Sequence, residues 1–140
     1  MAHLWMALAA ACLGTEDAGD LQKLQGTWNC KSIVVDGKKR DETKHGGELV
    51  IKGNHYTLRV YEDEPDNKVM FEIHPDKEPK QIDLMPSAGP HKGKVAKGIY
   101  KLEGDTLTEC VAPPGLDRPS DFTSKPGSER LLRVYNKVKP

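Results

Sequence analysis

The chain has 140 residues, and its 21 Lys and Arg balance its 21 Asp and Glu, so it carries no net charge at neutral pH. Nucleic-acid-binding domains and polybasic membrane-surface modules both need an excess of cations to neutralise phosphates, so this balance argues against both classes. Thirteen glycines and ten prolines interrupt the chain too often for long helices, although a hydrophobic fraction of 36% suffices for a core. We therefore expect a single all-β domain.

The first 14 residues differ in composition from the rest of the chain, because they are apolar and contain no Lys, Arg, Asp or Glu. They are too few to cross a bilayer as a helix, which takes about 20 residues. Three alanines before Cys12 are typical of the cleavage site of a secretory signal, and the cysteine itself resembles the lipidated residue of a bacterial lipoprotein. We expect residues 1–14 to be a leader and 15–140 to be a domain exported in a bacterium, with membrane contact only through a lipidated Cys12.

Two cysteines, Cys30 and Cys110, lie inside the expected domain, and an exported domain could join them in a disulfide. Neither belongs to a C-x-x-C pair or to another spacing typical of a redox or metal site. Two separate buried thiols are the simpler interpretation, and the sequence leaves both alternatives open.

A short helix and eight strands are predicted in chain order. Asp20 can act as the N-cap of one or two helical turns that end at Gly26. From Thr27 onward, apolar residues alternate with polar ones in short runs that are separated by turn residues. The predicted strands are Thr27–Val35, Glu48–Lys52, His55–Tyr61, Lys68–His74, Lys80–Met85, Lys94–Leu102, Thr106–Ala112 and Arg130–Val138.

Short turns join most of these strands, which favours an antiparallel up-and-down meander. Eight such strands can close into a barrel that leaves no exposed edge. Two longer connections, Asp36–Gly47 and Pro113–Glu129, are expected to be lids or packed surface loops. Alternation within the third and fourth strands predicts the interior residues Tyr56, Leu58, Val60, Val69, Phe71 and Ile73.

The tripeptide Gly26-Thr27-Trp28, between the predicted helix and the first strand, resembles the G-x-W signature of lipocalins. In that family the tryptophan closes one end of an eight-stranded barrel, and a basic residue of the last strand packs across it. The resemblance implies this structural role for Gly26 and Trp28, with Arg133 or Lys137 as the cation. A cation over an indole ring stabilises by about 0.5–2 kcal/mol.

A longer series of motifs is similar to a family of small lipocalin-like domains that is expanded in planctomycete bacteria and has no established activity. The motifs are Leu24–Trp28, Asp76–Leu84, Lys92-Gly93, Gly98–Tyr100, Gly104–Leu107, Cys110, Pro114-Gly115, Arg118-Pro119, Phe122 and Gly127-Ser128. The resemblance covers about residues 20–138 and implies an exported lipocalin-like barrel, but it brings no catalytic residues. Lys137 stands where relatives usually have Arg.

The sequence gives little support for a metal site or for a catalytic nucleophile. The histidines of the expected domain form no H-x-H or H-x-x-x-H pair, so we predict neither a metal site nor a cofactor. No G-x-S-x-G motif is present, and the serines lie in loops rich in Pro and Gly, where hydroxyls commonly cap turns.

Three carboxylates, Glu72, Asp83 and Glu109, are the weak catalytic candidates. A glycoside hydrolase needs two carboxyl groups roughly 5–10 Å apart across the scissile bond, and strand residues can provide that spacing. The simpler interpretation is that Glu72 and Glu109 face solvent. Asp83 would then form an ion pair with Lys80 or Arg118.

Arg118 and Phe122, in the long connection before the last strand, could fold over the barrel mouth and touch a ligand. The alternative is that Phe122 anchors the loop to the barrel while Arg118 binds backbone carbonyls or Asp83. The candidate ligand-binding residues are Tyr56, Phe71, Tyr100, Arg118 and Phe122.

An eight-stranded barrel can hold one small ligand, so we expect a non-enzymatic barrel that binds a small apolar or amphiphilic molecule or acts as an interaction module. A small hydrolase acting on a carbohydrate or ester, with carboxylates in the barrel mouth, is the alternative. A purely structural domain with a filled core is the third possibility.

Overall fold

The computed structural model describes residues 19–40, 47–59 and 67–139. The predicted leader over 1–14, with Cys12, and the predicted interior residue Val60 lie outside these ranges. None of the described helical residues forms a segment long and apolar enough to cross a membrane.

The described residues form a short helix, α1, over 19–24, followed by nine strands. The strands are β1 (Gly26–Val35), β2 (Lys38–Arg40), β3 (Glu48–Lys52), β4 (His55–Arg59), β5 (Asn67–His74), β6 (Gln81–Pro86), β7 (Ala96–Glu103), β8 (Thr106–Val111) and β9 (Leu131–Lys137). All eight predicted strands are present, and their bounds agree to within two residues over the described ranges.

Every strand pairing is antiparallel, and the sheet runs from β3 to β9 in chain order, with β1 pairing both β3 and β9. This last pairing closes eight strands into a barrel, which confirms the predicted all-β class and the up-and-down topology. Closure removes the exposed edges that an open sheet would present for pairing with another chain.

The connection Asp36–Gly47, predicted to be a loop, instead begins with a tight turn and the short strand β2. Asp36 and Gly37 both have positive φ values, of 49° and 79°, as a two-residue hairpin turn requires. β2 then pairs with the end of β1, while the start of β1 pairs with β3. The three residues of β2 are all exposed, so no apolar alternation marks this strand in the sequence.

The prediction that Asp20 caps the helix from outside is wrong, because Asp20 lies within α1. Its carboxylate accepts hydrogen bonds from the Tyr100 hydroxyl at 2.7 Å and from Lys80 Nζ at 2.9 Å. Burial acts to raise the pKa of Asp20, but these two hydrogen bonds and the charge of Lys80 outweigh it and lower the pKa. Asp20 therefore ties α1 to the barrel.

The barrel interior is filled by alternate residues of each strand. Of the predicted interior residues, Tyr56, Val69 and Phe71 are each less than 5% exposed, and Leu58 and Ile73 are half-buried against the core. The core includes Leu24, Trp28, Cys30, Ile33, Leu49, Ile51, Tyr56, Val69, Phe71, Ile82, Leu84, Tyr100, Leu107, Val111 and Tyr135.

Trp28 closes one end of the barrel and is fully buried. Its indole Nε1 donates to the Leu24 carbonyl at 2.9 Å, at the end of α1. Lys137 lies opposite Trp28 on β9, with its Nζ 5.4 Å from the ring centroid, and donates to the Lys23 carbonyl at 3.0 Å. Lys137, and not Arg133, is thus the basic residue that covers the tryptophan.

The long connection between β8 and β9 packs on the outer wall of the barrel. The Arg118 guanidinium donates to the carbonyls of Gly98 at 2.8 Å and Ile82 at 3.3 Å, and to Asp83 Oδ1 at 2.7 Å. The ring of Phe122 lies 4.8 Å from Lys101 Nζ on β7. Arg118 therefore binds backbone carbonyls and Asp83, as the anchoring interpretation predicts. Lys80 pairs with Asp20 and is not the partner of Asp83.

Cys30 and Cys110 are both buried, and no disulfide joins them to each other. Cys30 belongs to the interior core, whereas the Cys110 thiol faces the outer loop and donates to the Thr123 carbonyl at 3.5 Å. The two thiols lie on opposite sides of the barrel wall, with β9 between their strands, so the structure favours separate thiols over a disulfide.

Candidate ligand-binding site in the barrel mouth

A cavity of about 260 Å³ opens at the end of the barrel that lies away from Trp28. Its lining comes from the strand ends at that side: the last residues of β4, β6 and β8, and the first residues of β5, β7 and β9. The apolar walls include Leu58, Val69, Leu84, Ala96, Val111, Ala112 and Leu131. The barrel therefore has an open cavity at this end, which a barrel filled throughout would lack.

Two polar side chains from the buried core, Tyr56 on β4 and Arg133 on β9, also line this cavity. Tyr56 is 1% exposed and Arg133 is 5% exposed. His91 and Glu129, from connections outside the strands, are lining residues too. The cavity thus combines apolar walls with a guanidinium and a phenol at its buried side.

Arg133 belongs to a buried polar cluster that spans β4, β8 and β9. Its Nη2 donates to the Tyr56 hydroxyl at 3.0 Å and lies 3.6 Å from Glu109 Oε1. Glu109 is the cross-strand neighbour of Arg133 in the β8–β9 ladder and is 1% exposed. The Arg133 guanidinium carbon also lies 5.8 Å from the ring centroid of Tyr135, two residues further along β9.

Three buried polar atoms of this cluster have no hydrogen-bond partner among the described residues: Glu109 Oε1, Arg133 Nε and the Tyr135 hydroxyl. Each buried polar group left without a partner costs about 1–3 kcal/mol. Such groups are rare in native proteins, and each calls for an explanation such as stored strain, a catalytic role, or a bound water or ion. The cluster is therefore the strongest sign of a binding function in the described residues.

The electrostatics of the cluster keep Arg133 charged. Burial acts to lower the pKa of Arg133, but the neighbouring Tyr135, Tyr56 and Glu109 outweigh it and raise the pKa further. Burial also raises the pKa of Glu109, and the charge of Arg133 offsets only part of this effect. Burial raises the pKa of Tyr56 as well, so its hydroxyl stays neutral and remains a hydrogen-bond donor.

The structure distributes the five candidate ligand-binding residues over different places. Tyr56 lines the mouth cavity, and the neighbouring Phe71 packs against it with a centroid distance of 6.0 Å. The Tyr100 hydroxyl donates a hydrogen bond to Asp20 of α1. Arg118 and Phe122 lie on the outer wall, where Phe122 and Tyr100 contribute to a separate depression of about 180 Å³.

Two of the three candidate carboxylates, Glu72 and Asp83, are neighbours on the outer face of the barrel, and Glu109 lies apart from them inside it. Glu72 is exposed, opposite Asp83 in the β5–β6 ladder, and Asp83 pairs with Arg118 and with His74 Nε2 at 3.1 Å. Glu109 lies inside the barrel, so the expectation that it faces solvent is wrong. Its alternation with the buried Leu107 and Val111 directs it inward, where Arg133 provides the counter-charge.

Sequence reasoning thus missed the pairing of Glu109 with Arg133. The position of each residue in its strand could have indicated this pair. Arg133 lies on the inward side of β9 with Tyr135, and Glu109 lies on the inward side of β8 with Leu107. Two opposite charges at inward positions of adjacent strands indicate a buried pair once the strand register is known.

A larger groove, of about 490 Å³, lies beside α1 and β5, with Leu21, Met70 and Met85 among its lining residues. We favour the smaller mouth cavity, because the lining of the larger groove includes no buried charged group. The described residues contain no group of three or more His, Cys, Asp or Glu that could hold a metal ion.

Comparisons of the chain with protein-family models, with curated proteins and with solved structures give no match. The candidate site is therefore defined by the geometry of the mouth cavity and its buried cluster.

Proposed function

We propose that this protein binds a small amphiphilic molecule in the mouth cavity of its barrel. The observation that carries this proposal is an apolar-walled cavity that ends on a charged and incompletely hydrogen-bonded guanidinium, that of Arg133. An apolar chain would gain about 25 cal/mol for each Å² it buries against the walls. A polar end group would provide acceptors for the donors at the buried side.

The ligand is expected to be small. Pockets for drug-sized ligands measure about 300–1,000 Å³. The mouth cavity, at about 260 Å³, lies just below that range. A medium-length hydrocarbon chain with one polar group fits this description better than a large polycyclic molecule.

We also propose that the chain belongs to the lipocalin-like family expanded in planctomycete bacteria. The order of its motifs and the closed eight-stranded barrel with Trp28 at one end support this proposal, and Lys137 in place of the usual Arg is the one departure. Export, with a leader over 1–14 and a lipid on Cys12, is a further proposal that the apolar composition of this segment supports. We do not propose the hydrolase with carboxylates in the barrel mouth, because Glu72 and Asp83 lie on the outer face, Glu109 is separated from them by the barrel wall, and none of the three lines the mouth cavity.

A cavity-filling variant tests the proposed function. Wild-type protein is screened by native mass spectrometry and thermal shift against alcohols and acids of medium chain length. A ligand present at 100 times its Kd would stabilise the folded state by about 2.7 kcal/mol. Ala96→Phe places a ring in the cavity and should abolish both signals, whereas Lys97→Ala, on the outer face of the same strand, should leave them unchanged.

Two results would reject the proposal. One is an absence of any ligand-dependent stabilisation across the screen. The other is equal binding by wild type and Ala96→Phe, because a ligand that tolerates the filled cavity must bind elsewhere.

A further inference from the structure

We propose that the ligand carries one anionic group, in the simplest case a carboxylate, which binds Arg133 while Glu109 takes up a proton from solvent. This inference rests on the proposed function and adds the chemistry of the ligand's polar end. It also makes binding a proton-linked event.

The buried side of the cavity presents donors that lack acceptors, although the acceptor Glu109 Oε1 is itself without a hydrogen-bond partner among the described residues. A guanidinium has five N–H donors, and Nη2 of Arg133 is directed to Tyr56 and Glu109 while Nε has no partner among the described residues. The Tyr56 hydroxyl, which accepts from Arg133, retains its own proton to donate. A carboxylate has two oxygens with about four acceptor sites, so it matches this donor set in number and charge.

The charge of the cluster explains why a proton must accompany the ligand. Glu109 on β8 faces Arg133 and Tyr135 on β9 and Tyr56 on β4, and Cys30 on β1 lies next to Tyr135. Arg133 is the only cation among these groups. With Glu109 ionised, the pair is neutral, and a second carboxylate would bury a net negative charge at high cost.

Protonation of Glu109 removes that cost, because it leaves one guanidinium facing one carboxylate. Glu109 rather than the ligand keeps the proton, since Glu109 is the more deeply buried group and does not line the cavity. Its pKa is already raised by burial in the free protein. The proton comes from water or buffer, and no covalent bond forms or breaks other than the O–H bond of Glu109.

Isothermal titration calorimetry with octanoate and octanol tests this coupling. The two probes share a chain length and differ in the charge of the end group. At neutral pH octanoate should bind at least about tenfold more tightly than octanol, a difference of about 1.4 kcal/mol. Titration in two buffers of different ionisation enthalpy should show net proton uptake with octanoate and none with octanol.

The variant Glu109→Gln removes the competing carboxylate and keeps the shape of the side chain. It should bind octanoate more tightly than wild type at neutral pH, without proton uptake, and bind octanol as wild type does. Glu72→Gln, at an exposed residue of β5 outside the mouth cavity, makes the same change of charge away from the cluster and should retain proton uptake.

A second variant removes the cation without leaving a buried charge unpaired. Arg133→Met alone would isolate Glu109, so it is combined with Glu109→Gln. The double variant should bind octanol and lose its preference for octanoate. A retained preference would show that another group binds the anion and would overturn the inference.

The remaining outcomes separate the inference from the proposed function. Equal affinity for octanol and octanoate, without proton uptake, would overturn the inference and leave the proposed function intact. Octanoate binding that is unchanged in Glu109→Gln would also overturn it. Failure of both probes to bind would contradict the proposed function and the inference together.

Discussion

Lys137 and Trp28 face each other across the β1–β9 ladder, with the ammonium nitrogen 5.4 Å from the centre of the indole ring. The same ammonium donates to the carbonyl of Lys23 in α1. One side chain thus joins the last strand, the first strand and the helix at the closed end of the barrel.

Lys137→Met should lower the free energy of unfolding by about 0.5–2 kcal/mol, because it removes the cation from the aromatic ring. Urea denaturation measures the change. Lys137→Arg should retain most of the stability, since it keeps the cation. Lys139→Met, at an exposed residue nearby, serves as the control, and a loss equal to that of Lys137→Met would contradict the assigned role.

Asp20→Asn should destabilise the protein by about 1–3 kcal/mol at neutral pH, because the bonds from Tyr100 and Lys80 lose a charged acceptor. The folded-state pKa of Asp20 is lowered from 3.8, so its stabilising effect is present above that value. It should disappear as the pH falls through the lowered pKa.

Chemical denaturation of wild type and Asp20→Asn over a series of pH values tests this pH dependence of the stability. The two stability curves should converge in acid and separate as the pH rises. Asp76→Asn, at an exposed residue, should show no such divergence. A constant difference at all pH values would contradict the assignment.

Arg118→Gln should release the long loop from the outer wall, because Arg118 bonds to Asp83 and to two backbone carbonyls. Hydrogen exchange of the amides in 113–129 should accelerate at least about tenfold, which corresponds to 1.4 kcal/mol in local opening. Lys125→Gln, at an exposed residue of the same loop, should leave exchange unchanged. Unchanged exchange in Arg118→Gln would show that other contacts hold the loop.

Gly98→Ala should destabilise the barrel by about 1–3 kcal/mol, because overpacking forces backbone or side chains to shift. A Cβ at Gly98 would lie 2.9 Å from the Cys110 carbonyl oxygen and 3.0 Å from a methyl of Val111. At Gly19 a Cβ meets nothing within 4 Å, so Gly19→Ala in α1 should be neutral or slightly stabilising. Similar thermal denaturation midpoints for the two variants would contradict this difference.

Most of the fold could be predicted from the sequence, because a barrel strand with a buried side leaves an alternating pattern and its turns leave Gly, Asn and Asp. His55–Arg59 shows this, with Tyr56 and Leu58 directed inward. β2 could not be predicted, since all of its residues are exposed and only backbone pairing with β1 defines it.

The candidate site was harder to predict than the fold. Tyr56 was placed in the interior because it follows the apolar pattern. Glu109 and Arg133 are charged residues at inward positions, where a pattern-based assignment favours solvent or a surface role. Their partnership depends on the register of β8 against β9, which the sequence pattern alone does not determine.

The most direct test of a ligand in the mouth cavity is the nitrogen-15 NMR signal of the Arg133 Nε–H group. This group is buried beside the cavity and has no hydrogen-bond partner among the described residues. During titration with octanoate its resonance should shift saturably, with the same dissociation constant as calorimetry gives. Saturable binding that leaves this resonance unchanged, and instead shifts the amides of Leu21 and Met70 in the groove beside α1, would contradict the account.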